Sequence, residues 1–340
     1  MKKKHFFPIK KILVFIYCLS LSLLTSCGDS ASPTPSETLL PSTSSKEGDN
    51  EEIIAEEPIP SAQPEESKGS RDNTPVCLVP TTPGTTLYSN ELVSLDASNI
   101  SEGYVCVNYT GTCPKVKLQI TGPNDVTYTY NITGNGYETF PLTCGDGGYS
   151  VGVFENISGT TYSTTFYQDL NVTLSSEFSP FLYPSQYVNF TPESDAVAKA
   201  QELAGSADTD LDVVSNVYNY VISSVSYDFD KASNIASGYV SSVDDTLRTG
   251  TGICLDYAAL MASMLRSQGI PTHLEVGYAQ DAYHAWISTY VDEIGWINGI
   301  IEFDGTSWSL MDPTFAANSS ESSLKKFIGD GSNYTVKYVY

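Results

Sequence analysis

Three side chains in the C-terminal half have the types and order of a nucleophile, a base and an orienting acid. Cys254 follows a glycine-containing stretch at 249–253, His284 opens an apolar run, and Asp312 precedes a proline. A cysteine thiolate attacks carbonyl carbons, histidine exchanges protons near neutral pH, and a carboxylate behind the imidazole fixes its tautomer. The pattern predicts a catalytic triad. The alternatives are a buried structural thiol for Cys254 and an ordinary turn for Asp312.

The helices and strands predicted around these residues indicate where Cys254 and His284 lie in the fold. Good helix formers follow Cys254, and Gly269 and Pro271 end the pattern, so Cys254 is expected in the first turn of a helix. Free N–H groups and the helix dipole at that end stabilise a thiolate. Strand-like runs at 272–279 and 285–291 would carry His284 at a strand end. We expect His273 to be a surface residue.

Weaker candidates surround the predicted triad. Tyr257 and Trp286 are possible supporting residues, although core packing explains each of them as well. The backbone N–H of Cys254 would supply one oxyanion donor, and the sequence does not identify the second. The remaining acids of this half are scattered, without the dense spacing of a calcium loop. We therefore expect neither a metal nor a cofactor.

Five short runs in this half resemble the transglutaminase-like superfamily, in that family's order. They are Gly252-Ile253-Cys254-Leu255-Asp256-Tyr257-Ala258, Arg266-Ser267-Gln268-Gly269-Ile270-Pro271, Val276-Gly277-Tyr278, His284-Ala285-Trp286 and Asp312-Pro313-Thr314. The resemblance implies a papain-like α/β core, with Cys254 as nucleophile, His284 as base and Asp312 as orienting acid. It also implies acyl transfer through a thioester.

The N-terminus has the composition of an export signal. The whole chain has 17 Lys+Arg against 40 Asp+Glu and a net charge of −23, which argues against a nucleic-acid partner. Residues 1–27 reverse this balance, with a lysine-rich start and an apolar run too short to span a bilayer. The end at Cys27 resembles the bacterial lipobox, which implies a lipid anchor on the extracellular face of the cell membrane. An ordinary secretory signal is the alternative.

The rest of the chain divides by composition, and the predicted fold class is α+β. Residues 28–76 are rich in Ser, Pro and acids, contain no aromatic residue, and are expected to be a disordered linker. Residues 77–188 show about seven short strands between turn clusters, typical of an immunoglobulin-like β-sandwich. That module is interpreted as a spacer or substrate-positioning unit, with a binding role as the alternative. Residues 189–340 are the predicted transglutaminase-like catalytic domain.

Four cysteines fall in or beside the predicted sandwich. Cys77, Cys106, Cys113 and Cys144 could form two disulfides in an oxidising compartment, with three possible connectivities. Cys106 and Cys113 flank a short turn, so this pair is the favoured one.

Two function classes follow from the sequence. The preferred one is a membrane-anchored extracellular thiol acyltransferase that acts on peptides or proteins, with hydrolysis slightly favoured over amine crosslinking. The alternative is a catalytically inert surface adhesin or binding protein with the same fold. The sequence leaves the oligomeric state open.

Overall fold

The computed structural model describes residues 71–279, 281–292, 294–298, 300–303, 308–311 and 334–340. The predicted signal, the lipid site Cys27, most of the linker and Asp312 lie outside the described residues. The described chain is mixed α+β, with a β-rich region followed by a helix-containing region, and the predicted α+β class is confirmed. Within the described part, no helix has the length and apolar character needed to cross a bilayer.

The first region is built from strands. In chain order they are β1 (Leu87–Ser89), β2 (Val93–Asp96), β3 (Tyr104–Tyr109), β4 (Val116–Thr121), β5 (Thr127–Ile132), β6 (Tyr137–Pro141), β7 (Gly147–Ser158) and β8 (Thr161–Val172). They form two antiparallel sheets, with strand orders β1-β2-β3-β6 and β5-β4-β7-β8. The sequence pattern predicts about seven short strands in this region, and the structure has eight. The immunoglobulin-like assignment stays a prediction.

Strand β4 shows how the second sheet divides its two faces. Val116, Leu118 and Ile120 are buried and belong to the apolar core that both sheets share. Lys117 and Gln119 alternate with them and are only half-buried. Side chains of a strand point to opposite faces in turn, so Lys117 and Gln119 lie on the outer face of this sheet.

The second region packs helices against a further antiparallel sheet. The helices are α1 (Asp195–Ala204), α2 (Asp210–Ser224), α3 (Phe229–Asn234), α4 (Val243–Thr249) and α5 (Cys254–Arg266). The strands are β9 (Ser226–Tyr227), β10 (Thr251–Gly252), β11 (Thr272–Ala279), β12 (Ala282–Val291), β13 (Gly295–Asn298), β14 (Ile300–Phe303), β15 (Trp308–Met311) and β16 (Tyr334–Val339). The main sheet has the order β13-β12-β11-β16, while β9 pairs with β10 and β14 with β15.

Helix α5 is the centre of this region. It packs against α1, α2 and α4 on one side and against β11 and β12 on the other. Every side chain from Asp256 to Arg266 is buried, as expected for a helix that is covered all round. The predicted helix start at Cys254 and the predicted strand at 272–279 are therefore present, and the strand predicted at 285–291 begins earlier, at Ala282.

The favoured Cys106–Cys113 disulfide is wrong for this structure, in which the described cysteines are free. Cys106 lies within β3, where it pairs with Thr139 of β6, and its sulfur is 3.5 Å from the Thr139 hydroxyl oxygen. The Cys113 sulfur lies 3.4 Å from the carbonyl oxygen of Lys115, next to β4. The two thiols thus contact different sheets, and the turn between them does not bring them together.

Candidate active site

The nucleophile candidate begins helix α5. Thr251 and Gly252 form β10, which pairs in parallel with β9 and leads the chain into the helix. A Cβ atom at Gly252 would lie 2.7 Å from the Cβ atom of Asp256. The absence of a side chain at Gly252 therefore lets the backbone pass close to Asp256 just before the helix begins. Cys254 is the first helical residue and is half-buried. Its sulfur therefore stands at the positive end of the helix dipole.

A buried carboxylate two residues further on fixes this helix start. Asp256 is fully buried, and its carboxylate accepts a hydrogen bond from the backbone N–H of Ile253 at 2.8 Å. The same carboxylate lies 2.6 Å from the Lys231 ammonium and accepts a hydrogen bond from the Tyr239 hydroxyl at 2.7 Å. The ammonium also stands 4.6 Å from the centre of the Tyr239 ring. Asp256 thus joins the N-terminus of α5 to α3 and to the segment that follows α3.

The base candidate stands on the neighbouring strand. His284 lies in β12 opposite Gly277 of β11, and only 8% of its surface is exposed. Trp286, two residues along the same strand face, is also buried, and the two rings are nearly parallel with centres 6.2 Å apart. Trp286 also meets Tyr334 of β16 edge to face. The two rings thus lie side by side on one face of β12.

Cys254 and His284 line the same cavity, which has a volume of about 790 Å³. This size is in the range of small-molecule and peptide-binding pockets. Tyrosines dominate its wall: Tyr187, Tyr227, Tyr239, Tyr283, Tyr338 and Tyr340. Lys117, Thr129 and Asn131 of the β-rich region line it as well. The structure therefore brings two of the three predicted catalytic residues to one pocket. The third, Asp312, lies outside the described residues.

Tyr257 follows the core-packing alternative, whereas the expectation for His273 is corrected. Tyr257 is fully buried, does not line the cavity, and donates its hydroxyl to the carbonyl oxygen of Val225 at 2.5 Å. It anchors α5 to the end of α2, so its role is packing. His273 is not a surface residue. Its ring stacks on Trp296 with centres 3.7 Å apart and meets Phe181 edge to face.

The sequence interpretation of the β-rich region as a spacer or substrate-positioning unit names none of the residues that line the cavity, and it also misses the tyrosines. The alternation in β4 identifies Lys117 as an outward residue, but no sequence signal tells what covers that face. Among the described residues, no group of three or more His, Cys, Asp or Glu side chains is arranged to hold a metal ion. The expectation of a metal-free enzyme stays a prediction.

Comparison with known proteins points to one family. Residues 197–299 match the transglutaminase-like superfamily, and no curated protein matches the chain. This match supports an enzyme of the cysteine hydrolase or transferase kind.

Three solved structures share a low likeness with the chain. A proposed cysteine protease from Cytophaga hutchinsonii is 17% identical, with a TM-score of 0.32 over 68% of this chain and 69% of that one. A proposed protease from Parabacteroides distasonis is 16% identical (TM-score 0.26, 58% and 41% covered), and red sea bream transglutaminase is 13% identical (TM-score 0.24, 62% and 48% covered). The chain spans less than half of the latter two, so the assignment rests on the family match. The segment 197–299, which supplies both Cys254 and His284, is a transglutaminase-like core.

Proposed function

We propose that the protein is a thiol acyl-transfer enzyme that acts on peptide or carboxamide bonds of peptides and proteins. The observation that carries the proposal is the placement of Cys254, at a helix start, and of buried His284 in the wall of one cavity. A thiol and an imidazole that share a pocket are the two groups that nucleophilic acyl transfer requires.

The proposed reaction has two halves. In the first, His284 takes the thiol proton and the Cys254 sulfur attacks the carbonyl carbon, so that a tetrahedral oxyanion forms. The backbone N–H of Cys254 is the proposed donor to that oxyanion. The C–N bond then breaks, His284 passes its proton to the leaving amine, and a thioester remains on Cys254. Asp312 is the proposed acceptor for the imidazole N–H, which keeps the ring in its working tautomer.

The second half decides between hydrolysis and crosslinking. Water that loses its proton to His284 attacks the thioester, releases the carboxylic acid and restores the thiol. A primary amine in the place of water would give a new amide instead. We propose hydrolysis as the main outcome, because water is the abundant acceptor in solution whereas an amine acceptor needs a binding pocket of its own.

The proposed location is the outer face of a cell membrane. Its support is the sequence of residues 1–27, with a basic start, a short apolar run and small residues before Cys27. Mass spectrometry of the mature N-terminus is expected to find a diacylglycerol-modified Cys27. An unmodified N-terminus beyond residue 27 would contradict the anchor.

The test of the activity compares two cysteine variants. Glutamine-containing peptides are incubated with the protein, with and without a primary amine, and the products are identified by mass. Cys254→Ala is expected to lower the rate by about a thousandfold or more, because it removes the nucleophile. Cys113→Ala, which removes a free thiol outside the cavity, is expected to keep full activity. An equal rate in wild type and Cys254→Ala, or no turnover by a folded wild type, would contradict the proposal.

A further inference from the structure

The β-rich region forms one wall of the candidate active site. Lys117 of β4 and Asn131 of β5 line the cavity and stand directly opposite each other in the β4–β5 register. Gln119 and Thr129 are the next pair on the same face, and the Gln119 side chain donates to the Thr129 hydroxyl. The core side chains of β4 point the other way. The outer face of the second sheet therefore faces the pocket of Cys254.

A close contact joins this face to the other region. Gly238 has a φ of +82°, and a Cβ atom placed on it would lie 2.0 Å from the amide nitrogen of the Asn131 side chain. The Gln186 side chain donates to the Asn131 carbonyl oxygen at 2.7 Å. Ile235 to Tyr239 line the same cavity. The wall made by β4 and β5 is thus held in place against the catalytic region.

The charge of the cavity wall is opposite to that of the protein. The chain carries a net charge of −23, yet the described lining includes the basic residue Lys117 and no Asp or Glu residue. The ammonium lies 5.1 Å from the centre of the Tyr162 ring. In the described part of the chain, no carboxylate lies within ion-pair distance of it. A cation in that position attracts a carboxylate brought by a ligand.

We propose that the cavity selects acyl donors that carry a carboxylate near the reacting carboxamide, and that Lys117 is the residue that determines this specificity. The proposal rests on the proposed function, since it names the substrate class of the same site. The carboxylate is either an acidic side chain beside the reacting residue or the free C-terminus of a peptide. The tyrosine-rich wall would pack against the planar amide groups of such a peptide.

Affinity labels test the proposal without requiring turnover. Three labels carry the same iodoacetyl group: iodoacetyl-Ala-Glu-amide, the neutral iodoacetyl-Ala-Gln-amide, and iodoacetyl-Ala-Gln with a free C-terminal carboxylate. Alkylation at Cys254 is followed by mass spectrometry of the peptide that contains it. In wild type, at least one of the charged labels is expected to react about fivefold faster than the neutral one, since one charge in a partly solvated pocket acts at that scale. The faster charged label identifies the source of the carboxylate.

Two lysine variants distinguish the effect of a lysine that lines the cavity from the effect of the overall charge of the sheet. Lys117→Gln is expected to bring the ratio of charged to neutral labelling down to about one. Lys115→Gln is the matched control, because Lys115 also stands over the Tyr162 ring but does not line the cavity; it should keep the wild-type ratio. In wild type, the ratio should also fall at high salt. This salt series keeps the proposal testable even if Lys117→Gln does not fold.

The outcomes distinguish this proposal from the proposed function. Equal labelling by all three reagents in wild type, or a ratio that Lys117→Gln leaves unchanged, would overturn the selectivity. A charged-label preference that depends on Lys117 would support it, even in a protein that turns over no peptide. In that case the proposed enzyme activity would be contradicted, while the proposed binding of carboxylates at the cavity wall would be supported.

Discussion

The two regions of the described chain differ in what they bury. In the β-rich region from β1 to β8, the buried side chains are apolar or aromatic apart from Asp96, which accepts hydrogen bonds from two backbone N–H groups. In the helix-containing region, α5 alone buries Asp256 near its start and Arg266 at its end, and the adjacent strands bury Glu275 and His284. Buried charge is costly unless it is paired and hydrogen-bonded. The second region therefore buries more ionisable side chains than the first, and Asp256 and Arg266 each have hydrogen-bond partners.

The cysteines of the two regions also differ in their surroundings. Burial raises the pKa of the Cys106 thiol to about 11 and also raises the pKa of the Cys144 thiol. A thiol with a raised pKa stays protonated at neutral pH and is a poor nucleophile. Cys254 instead begins a helix and faces a cavity that His284 shares. Placement, and not residue type, therefore makes Cys254 the candidate nucleophile among the described cysteines.

The largest stability effect is expected at the C-terminal end of α5. The Arg266 guanidinium donates to the carbonyl oxygens of Thr272, Tyr183 and Tyr340 at 2.7 to 2.9 Å. Burial lowers its pKa to about 9, so it remains charged at neutral pH. Arg266→Met keeps much of the volume but leaves these carbonyls without a donor, which should cost about 3–5 kcal/mol.

The same substitution at an exposed site is the control for Arg266→Met. Arg248 pairs with Asp245 on α4, and both side chains are mostly exposed. Arg248→Met should change the free energy of unfolding by less than about 1 kcal/mol. Chemical denaturation measures both variants. Equal losses in the two would mean that the buried guanidinium is not the link between α5, β11 and the C-terminus, and the contrast between the regions would weaken.

The next largest loss of stability is expected at the N-terminal end of α5. Asp256→Asn keeps the shape of the side chain, but it replaces one accepting oxygen with an NH2 donor. Lys231 and Tyr239 contact different oxygens of the carboxylate, so one of them loses its acceptor. The helix start should lose part of its anchoring, at a cost of about 2 kcal/mol. Because Cys254 stands two residues away, we expect peptide turnover and the alkylation rate of Cys254 to fall about tenfold.

Asp245→Asn provides the control for the Asp256 variant, because Asp245 pairs with Arg248 on the exposed side of α4. It should leave both rates unchanged. If Asp256→Asn lowers stability but leaves the reactivity of Cys254 intact, the network supports the fold and does not position the thiol.

Much of the catalytic region could be predicted from the sequence. The glycines before Cys254, the helix formers after it and the stop at Gly269 define α5, because these signals act locally on the backbone. The apolar run that follows His284 predicts a strand for the same reason, and β12 contains this run. The family match then confirms the transglutaminase-like core over 197–299. The role of Asp312, which lies outside the described residues, stays a prediction.

The remaining features depend on contacts between distant segments. His273 follows a helix stop, which favours exposure, but Phe181 and Trp296 cover it from elsewhere in the chain. The period of two in β4 shows that Lys117 faces outward, yet only the tertiary structure shows that the cavity of Cys254 and His284 lies on that side. Cys106 and Cys113 are close in sequence but contact different sheets. A local pattern contains none of this information.

A smaller effect is expected where the two regions touch. Gly238→Ala places a methyl group against the Asn131 side chain in a backbone conformation that favours glycine, which should cost about 1–2 kcal/mol. Gly145→Ala is the control, since its φ of +75° is similar and nothing lies within 4 Å of the added carbon. Thermal melting should show a larger loss for Gly238→Ala, and the double variant Asn131→Ala/Gly238→Ala should recover the difference. No recovery would mean that the contact does not fix this wall.

The smallest effect is a pH dependence that belongs to the helix-containing region. Burial lowers the pKa of His273 below its ordinary value of 6.5, and nearby Glu275 opposes this only in part. The unfolded chain therefore binds a proton at a higher pH than the folded chain does. The stability from neutral His273 is present above pH 6.5 and is lost progressively as the pH falls below it.

Substitutions at His273 and Glu275 test the direction of this pH dependence. His273→Phe keeps an aromatic ring between Trp296 and Phe181 but removes the titration, so its unfolding free energy should fall less than that of wild type between pH 7 and pH 5, by about 1 kcal/mol. Glu275→Gln removes the carboxylate that favours the charged imidazole and should steepen the loss. If His273→Phe loses stability toward acid as steeply as wild type, the acid sensitivity of this region arises from its other buried groups and not from this ring.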